Sequence, residues 1–389
     1  MLTLSRITIL LVVILLPACA SSPESSKPAP SLIKLLDYPQ ALFSAGTVIQ
    51  PDDIFTLTQA QQNDFLSYFH AEQNQHMPAH QRLFKYLSAQ TEGFTYKGKT
   101  YTATEAYAKQ QGNCLSLAIL TTALAKAAAI DVSYQKMNSA PVYLKHDKVM
   151  SISSHVRTFI YDPDFKPEPH TIVIRKPRIA IDYFPAPDST KGNTVTAQDF
   201  VAMYYQNMAA EAIINADLDQ AHTYIQQGLQ VSPFNPESLN ILAVILIKKA
   251  RPEIAQNIYT YLYQTGIGTV TTLSNFALLK ERAGDSDGAK LLLAEVDKIE
   301  DDNPYKWLDV AQRQFDKQHY SIALKYYRKA IKTAPYLAES YFGMARTLYL
   351  SGKPELALNY MRKATELAYV PEQEKRYSAK LYSLKSALN

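Results

Sequence analysis

The chain has 389 residues, 47% of them hydrophobic, with 40 basic side chains against 36 acidic ones and a formal charge of +4. A chain of this size can bury two proper cores, and its charges are spread without a basic stripe, which gives no reason to invoke nucleic acid as a partner. Two cysteines are too few for a CxxC-based zinc site.

The N-terminus opens with a lone Arg6 followed by the apolar run ITILLVVILLPACA. One positive charge, an apolar stretch too short to span a bilayer comfortably and small residues at its end read as a signal peptide over residues 1–18. The sequence Leu16-Pro17-Ala18-Cys19 resembles a bacterial lipobox. That resemblance implies a lipoprotein acylated on Cys19, and Ala20 after it implies the outer membrane of a Gram-negative bacterium, facing the periplasm. The alternative is an ordinary signal peptide with an incidental Cys19. The segment SSPESSKPAPS cannot bury a core, so residues 19–50 read as a flexible tether. With Cys19 acylated, Cys114 has no disulfide partner. An unpaired thiol in an oxidising compartment is expected to be either buried or used. Beyond the signal peptide no apolar run is long enough to cross a bilayer; the best, ILAVILIKK, stops at Lys248.

Residues 51–195 read as helices followed by strands. Thr58 is placed to cap a helix through LTQAQQNDFLSYFHAEQ, and HQRLFKYLSAQ gives a second. His76 and His80 have helical ligand spacing, but Pro78 lies between them and no third ligand is evident, so both read as solvated surface histidines. FTYKGKTY reads as a hairpin closed by Lys97-Gly98. A short helix over TATEAYAKQQ is then stopped by Gly112-Asn113, and Asn113 is a good N-cap for a new helix starting at Cys114. From Cys114 to Ala125 that helix carries no charge, so it must be buried nearly all round. Cys114 thus lies in its first turn, where free N–H groups and the helix dipole favour a thiolate. Taken alone, a free cysteine on an apolar helix also fits a buried small hydrophobe.

Gly112-Asn113-Cys114 opening a central helix, with AKAAAIDVSYQKM running on into an alternating strand, resembles the transglutaminase-like branch of the papain-type cysteine enzymes. The resemblance covers about 130 residues and implies an α+β domain of helices plus an antiparallel sheet. The family's second residue is a histidine opening a later strand, which is met by His155 in SSHVRTFIYDP, with Val156, Thr158 and Ile160 on one face. His146 lies in a polar turn and His170 in a proline-bracketed loop, so neither stands on a rigid element. The third residue is an aspartate on the next strand. Asp162 is seven residues along the same strand, over ~20 Å away. Asp182 in RIAIDYFP follows a turn at about residues 163 to 170, and an antiparallel return brings it roughly opposite His155. The gap from His155 to Asp182 is longer than in compact members, with PDFKPEPH as the insertion. The resemblance implies that His155 takes the proton of Cys114, that Asp182 orients the imidazole, and that the thiolate attacks an amide carbonyl to give a thioester. The oxyanion would be held by the Cys114 N–H and an upstream donor, Gln110 or Gln111. Water then gives hydrolysis and an amine gives transamidation. Neither a cofactor nor a metal is called for.

From about residue 200 the chain repeats. Ala221, Ala255, Ala289, Ala323 and Ala357 recur every 34 residues, and Ala209, Ala243, Ala277, Ala311 and Ala345 keep the same period. Small residues in these two registers resemble the tetratricopeptide repeat, a helix-turn-helix unit whose two helices cross too closely for a larger side chain. A bulky stripe follows four residues later at Ile225, Tyr259, Leu293, Tyr327 and Met361. Five repeats over 200–371 form an all-α solenoid, and Tyr377, Leu381, Leu384 and Leu388 give a capping helix over 372–389. The resemblance implies an inner face lined by Asn240, Ser274, Leu308, Gln312, Phe315, Phe342, Arg346 and Tyr349, holding a protein or peptide partner. The alternative is an array that serves as a spacer against the first domain. Two functions are therefore expected: a membrane-anchored periplasmic cysteine enzyme acting on peptide or protein amides, with the array recruiting substrate, or a non-catalytic scaffold lipoprotein in which both domains only bind.

Overall fold

The computed structural model describes residues 38–138, 155–168, 170, 172–173, 175–183, 190–368 and 371–388. Cys19, the tether to residue 37 and His146 lie outside the described residues. The first domain begins with α1 (Gln59–His70) and α2 (Ala79–Thr91). Thr58 caps α1 as expected, its hydroxyl accepting from the Gln61 N–H while the Gln61 side chain accepts from the Thr58 N–H. His80 is buried rather than solvated, 6% exposed, because α2 turns it inward to within 3.5 Å of Asp162. The predicted hairpin at Lys97-Gly98 does not form. Instead β1 (Thr95–Tyr96) pairs in parallel with β2 (Gln111–Gly112). The chain between them turns at once into α3 (Ala103–Lys109), whose cap Thr102 and Glu105 form a reciprocal capping box.

The centre of this domain is α4 (Cys114–Ala127), buried at every position from Cys114 to Ala125, as its lack of charge requires. Its last turn reaches water at Lys126, and Ala129 at φ 52° reverses the chain into β3 (Val132–Asn138). β3 is the middle of an antiparallel sheet with β4 (His155–Tyr161), β5 (Arg178–Ile181) and β6 (Thr190–Val195), in the order β5-β4-β3-β6. β6 carries no apolar alternation and was not legible in the sequence. Val156, Thr158 and Ile160 are fully buried on β4, which packs against α4.

The second half is a helical solenoid. Five hairpins, α5 (Ala197–Ile214) with α6 (Leu218–Val231), α7 (Pro236–Lys248) with α8 (Pro252–Gln264), α9 (Val270–Arg282) with α10 (Ser286–Lys298), α11 (Pro304–Asp316) with α12 (Tyr320–Thr333), and α13 (Ala338–Leu350) with α14 (Pro354–Leu367), are closed by α15 (Pro371–Leu388). All ten register alanines are at most 3% exposed, which is what a close helix crossing demands. Tyr377 is fully buried on α15 and stacks on Phe342 at 4.5 Å, so α15 covers the last repeat.

The two halves share an element. The first part of α5, through Phe200, Met203, Tyr204 and Tyr205, belongs to the same apolar cluster as Leu115 and Ile160. Its second part, from Ala209 to Ile213, belongs to the array core. Tyr134 of β3 stacks on Phe200 at 3.8 Å and 5°, joining sheet to array. Among the described residues no helix is long and apolar enough to cross a membrane.

Candidate active site at Cys114

Asn113 builds the start of α4 by capping it. Its side-chain oxygen accepts from the Ser116 N–H at 3.0 Å, and its amide donates to Thr100 Oγ1 at 2.7 Å. Ser116 Oγ in turn accepts from the Tyr101 N–H at 2.9 Å. The cap is therefore pinned from the 97–101 loop, and Asn113 is 1% exposed. Gly112 is required here. It sits at φ +153°, and a Cβ on it would lie 2.7 Å from Ser116 Oγ.

Cys114 follows as the first residue of α4, 4% exposed and a free thiol. The first N–H groups of a helix have no acceptor inside it, so the ones around the sulfur face outward along the helix axis. Tyr183, just past β5, donates its hydroxyl to Thr121 Oγ1 of α4 at 2.7 Å. Burial pushes this phenol well above its usual range, and its surroundings include Thr158 and Cys114. A partly buried tyrosine therefore packs on α4 near the thiol, a neighbour the sequence did not signal.

The backbone of His155 opens β4 opposite Met137 of β3. Its side chain lies outside the described features. On the other edge of β4, Thr158 pairs with Ile181, so one step further Asp182 comes level with Arg157, two residues along from His155. Diagonal positions of that kind on one face of an antiparallel pair are roughly 7–8 Å apart. Asp182 is half-buried and engaged in an interaction. Arg157 donates to Gln135 Oε1 at 2.6 Å.

The two upstream glutamines differ. Gln110, in the left-handed conformation at φ 49°, spends its amide on the Tyr107 carbonyl at 2.9 Å. Gln111 donates to the Tyr101 hydroxyl at 3.2 Å and lines, with Asn113, a cavity of about 400 Å³. That cavity opens between Lys97–Tyr101 and Asn207, Glu211 and Ile214 of α5. Its α5 wall was missed because sequence reading assigns that helix to the array alone. Among the described residues no group of three His, Cys, Asp or Glu could hold a metal ion.

On the array, Asn240 and Ser274 are buried rather than presented to a ligand. Asn240 accepts from Asn275 at 2.8 Å and from Tyr259 at 3.3 Å. Arg313 pairs with Asp309 at 2.7 Å, and burial raises the Asp309 carboxyl despite that partner. Toward the C-terminal end, exposed Arg346 lies over Phe315 at 4.4 Å, and Tyr349 is 50% exposed. Gln312 is held between Asp316 and Tyr327. Leu308 and Phe342 are partly buried against neighbouring repeats.

Residues 338–370 match the family model of the tetratricopeptide repeat. No curated protein matches the chain. Solved structures that resemble its repeat half include one described as the functional characterisation of Pseudomonas aeruginosa pilF, 14% identical, covering 49% of this chain and 94% of that one with a TM-score of 0.35. Another is PilW, described as a widely conserved type IV pilus biogenesis factor, 16% identical over 49% of this chain and 99% of that one, TM-score 0.33. A third is YrrB, described as a repeat protein with an unusual peptide-binding site, 12% identical over 46% of this chain and 92% of that one, TM-score 0.30.

Proposed function

We propose that this chain is a membrane-anchored periplasmic lipoprotein, tethered at Cys19, whose first domain transfers acyl groups at Cys114 while the repeat array holds the protein that supplies the amide. The observation that supports this most is local: α4, capped by Asn113, carries a free thiol at its first residue and packs against β4, the strand that begins with His155. In this reading His155 removes the thiol proton and Asp182 orients the imidazole. The thiolate adds to the amide carbonyl, and the amine leaves with the proton returned by His155. The resulting thioester is released by water or by a second amine. The Cys114 N–H and Gln110 or Gln111 would meet the oxyanion.

Incubation with a peptide 4-nitrophenyl ester tests this. A burst of nitrophenol matching the protein concentration is expected, with an acyl adduct on Cys114 by mass spectrometry and neither burst nor adduct in Cys114→Ala or His155→Ala. A second reading is a scaffold in which both domains only bind, and it is favoured by the 4% exposure of Cys114. Absence of any adduct on the folded wild-type protein would decide for that scaffold.

A further inference from the structure

We propose that the open edge of β6, with the inner helices of the array facing it, is a docking site for an extended basic segment of a protein partner, added to the sheet as a fifth strand. This deepens the recruiting role given to the array and rests on that role, though on no chemistry at Cys114. β6 is the last strand in the order β5-β4-β3-β6, so among the described residues one of its edges has no strand beside it. The unpaired N–H and C=O groups of such an edge are a template for strand addition. A cavity of about 380 Å³ lies against Gly192 to Val195 of that strand. Its far wall is made by the array, through Glu237 in the first turn of α7, Thr269 capping α9, and Glu300 to Asp302 in the loop before α11. A free edge, a channel beside it and a facing wall are what an inserted strand needs.

Asn138 supplies an independent sign of a missing ligand. It ends β3, lines the same cavity and is 6% exposed, yet its carboxamide makes no hydrogen bond among the described residues. A backbone laid along β6 would offer this cavity-facing amide a hydrogen-bond partner. Gly192 keeps the amide uncovered, since a Cβ there would meet Asn138 Oδ1 at 3.3 Å.

Charge selects the occupant. Two of the wall carboxylates are already used: Asp199 accepts from Thr196, Ser232 and Asn235, and Asp301 pairs with Lys306 at 2.6 Å. Among the described residues the Glu237 carboxylate has the Thr269 hydroxyl alone, at 3.4 Å. Glu300 and Asp302 are exposed and make no ion pair among the described residues. Lys136 is the one unpaired cation in this wall among the described residues. The balance is negative, so the complementary segment carries lysine or arginine, and its binding weakens with salt.

The test uses the full-length chain in detergent and two fluorescein-labelled eight-residue probes, one alternating lysine with valine and one alternating glutamate with valine. Anisotropy is expected to show the lysine probe binding at least about tenfold tighter, and more weakly as salt rises. Hydrogen exchange is expected to show new protection at residues 190–195. Glu300→Lys combined with Asp302→Lys should weaken the lysine probe at least about tenfold with the thermal melt unchanged, because both side chains are exposed. Protection around Phe342 and Arg346 with β6 unchanged would overturn this site while leaving the array as the recruiting surface. Binding indifferent to the double substitution, or no binding of either probe, would overturn the site as well.

Discussion

Two demands meet at Cys114. A nucleophile in the first turn of α4 needs access, and the packing that fixes that turn leaves the residue only 4% exposed. With Cys19 replaced by serine, Cys114 is the only thiol, so its alkylation reports one group. Iodoacetamide is expected to label it in the folded protein without denaturant. His155→Ala should slow labelling about tenfold or more, and Asp182→Ala should slow it less, since it acts only through the imidazole. Labelling that needs denaturant would make the sulfur a packing atom. His222 on α6 is a second buried titrating group, 5% exposed and stacked face to face on Phe43 at 3.7 Å. Its burial lowers the imidazole pKa to about 4, Asp219 opposing this and Lys249 adding to it. The folded form holds the neutral ring while the unfolded chain protonates near pH 6.5, so stability is full above that value and falls as pH drops from there toward 4. Allowing for partial screening, the loss is on the order of 1–2 kcal/mol. Urea melts at pH 7 and pH 4.5 should show a smaller difference in His222→Gln than in the wild type; equal differences would remove His222 from the account.

At the scale of elements, the array holds together through contacts of different legibility. Gly343 lies inside α13, where glycine costs roughly 1 kcal/mol relative to alanine. A Cβ on it would stand 2.1 Å from Tyr327 Cε1, and Tyr327 is 2% exposed with its hydroxyl on Gln312. Gly343→Ala is therefore expected to destabilise by about 1–3 kcal/mol in spite of its better helix propensity, because the buried ring has nowhere to go. The same change beside Tyr327→Leu should cost much less, and a double-mutant cycle by thermal melt that gives additive losses would show that the ring is not the obstacle. The stripe containing Tyr327 was visible in the sequence, since a 34-residue period writes the same crossing five times. The glycine that receives its ring was not, because that pocket belongs to the next repeat and has no period of its own. The same contrast runs through the first domain. The caps at Thr58 and Asn113 were legible because capping is local, within three or four residues. The false hairpin at Lys97-Gly98 and the unforeseen β6 depend on pairing with Gln111–Gly112 and with β3, which local propensity does not encode. Around the candidate triad, the position of Cys114 could be read from its helix start, whereas the two-residue offset of Asp182 from His155 depends on the β4–β5 register, which the loop between those strands hides.

Taken as a whole molecule, the chain is tied to itself at a point that decides how it would hang from a membrane. Residues 38–49 form a strap across α6: the Tyr38 hydroxyl lies 2.7 Å from His222 Nε2, the Gly46 N–H donates to Thr223 Oγ1 at 3.1 Å, and Gln220 donates to the Thr47 carbonyl at 2.6 Å. Tyr205 of α5 then reaches the Ile49 carbonyl at 2.7 Å, so the strap ends on the helix shared by the two cores. The first helices of successive repeats contact one another along the inner layer, which leaves α6 on the outer one. An acylated Cys19 could lie at most about 65 Å of extended chain from Tyr38. The strap therefore brings Tyr38, the first described residue, onto the outer side of the first repeat. The prediction at this scale concerns the anchor alone. Cys19→Ser should move the protein from the membrane fraction to the soluble fraction with an unchanged melting temperature, because the strap and not the lipid fixes the first repeat. If the serine form still sediments with membranes after a high-salt wash, attachment lies in the folded part and the strap's direction says nothing about it. If it is released but melts lower, the lipid is supporting the fold, and the strap is weaker than its hydrogen bonds suggest.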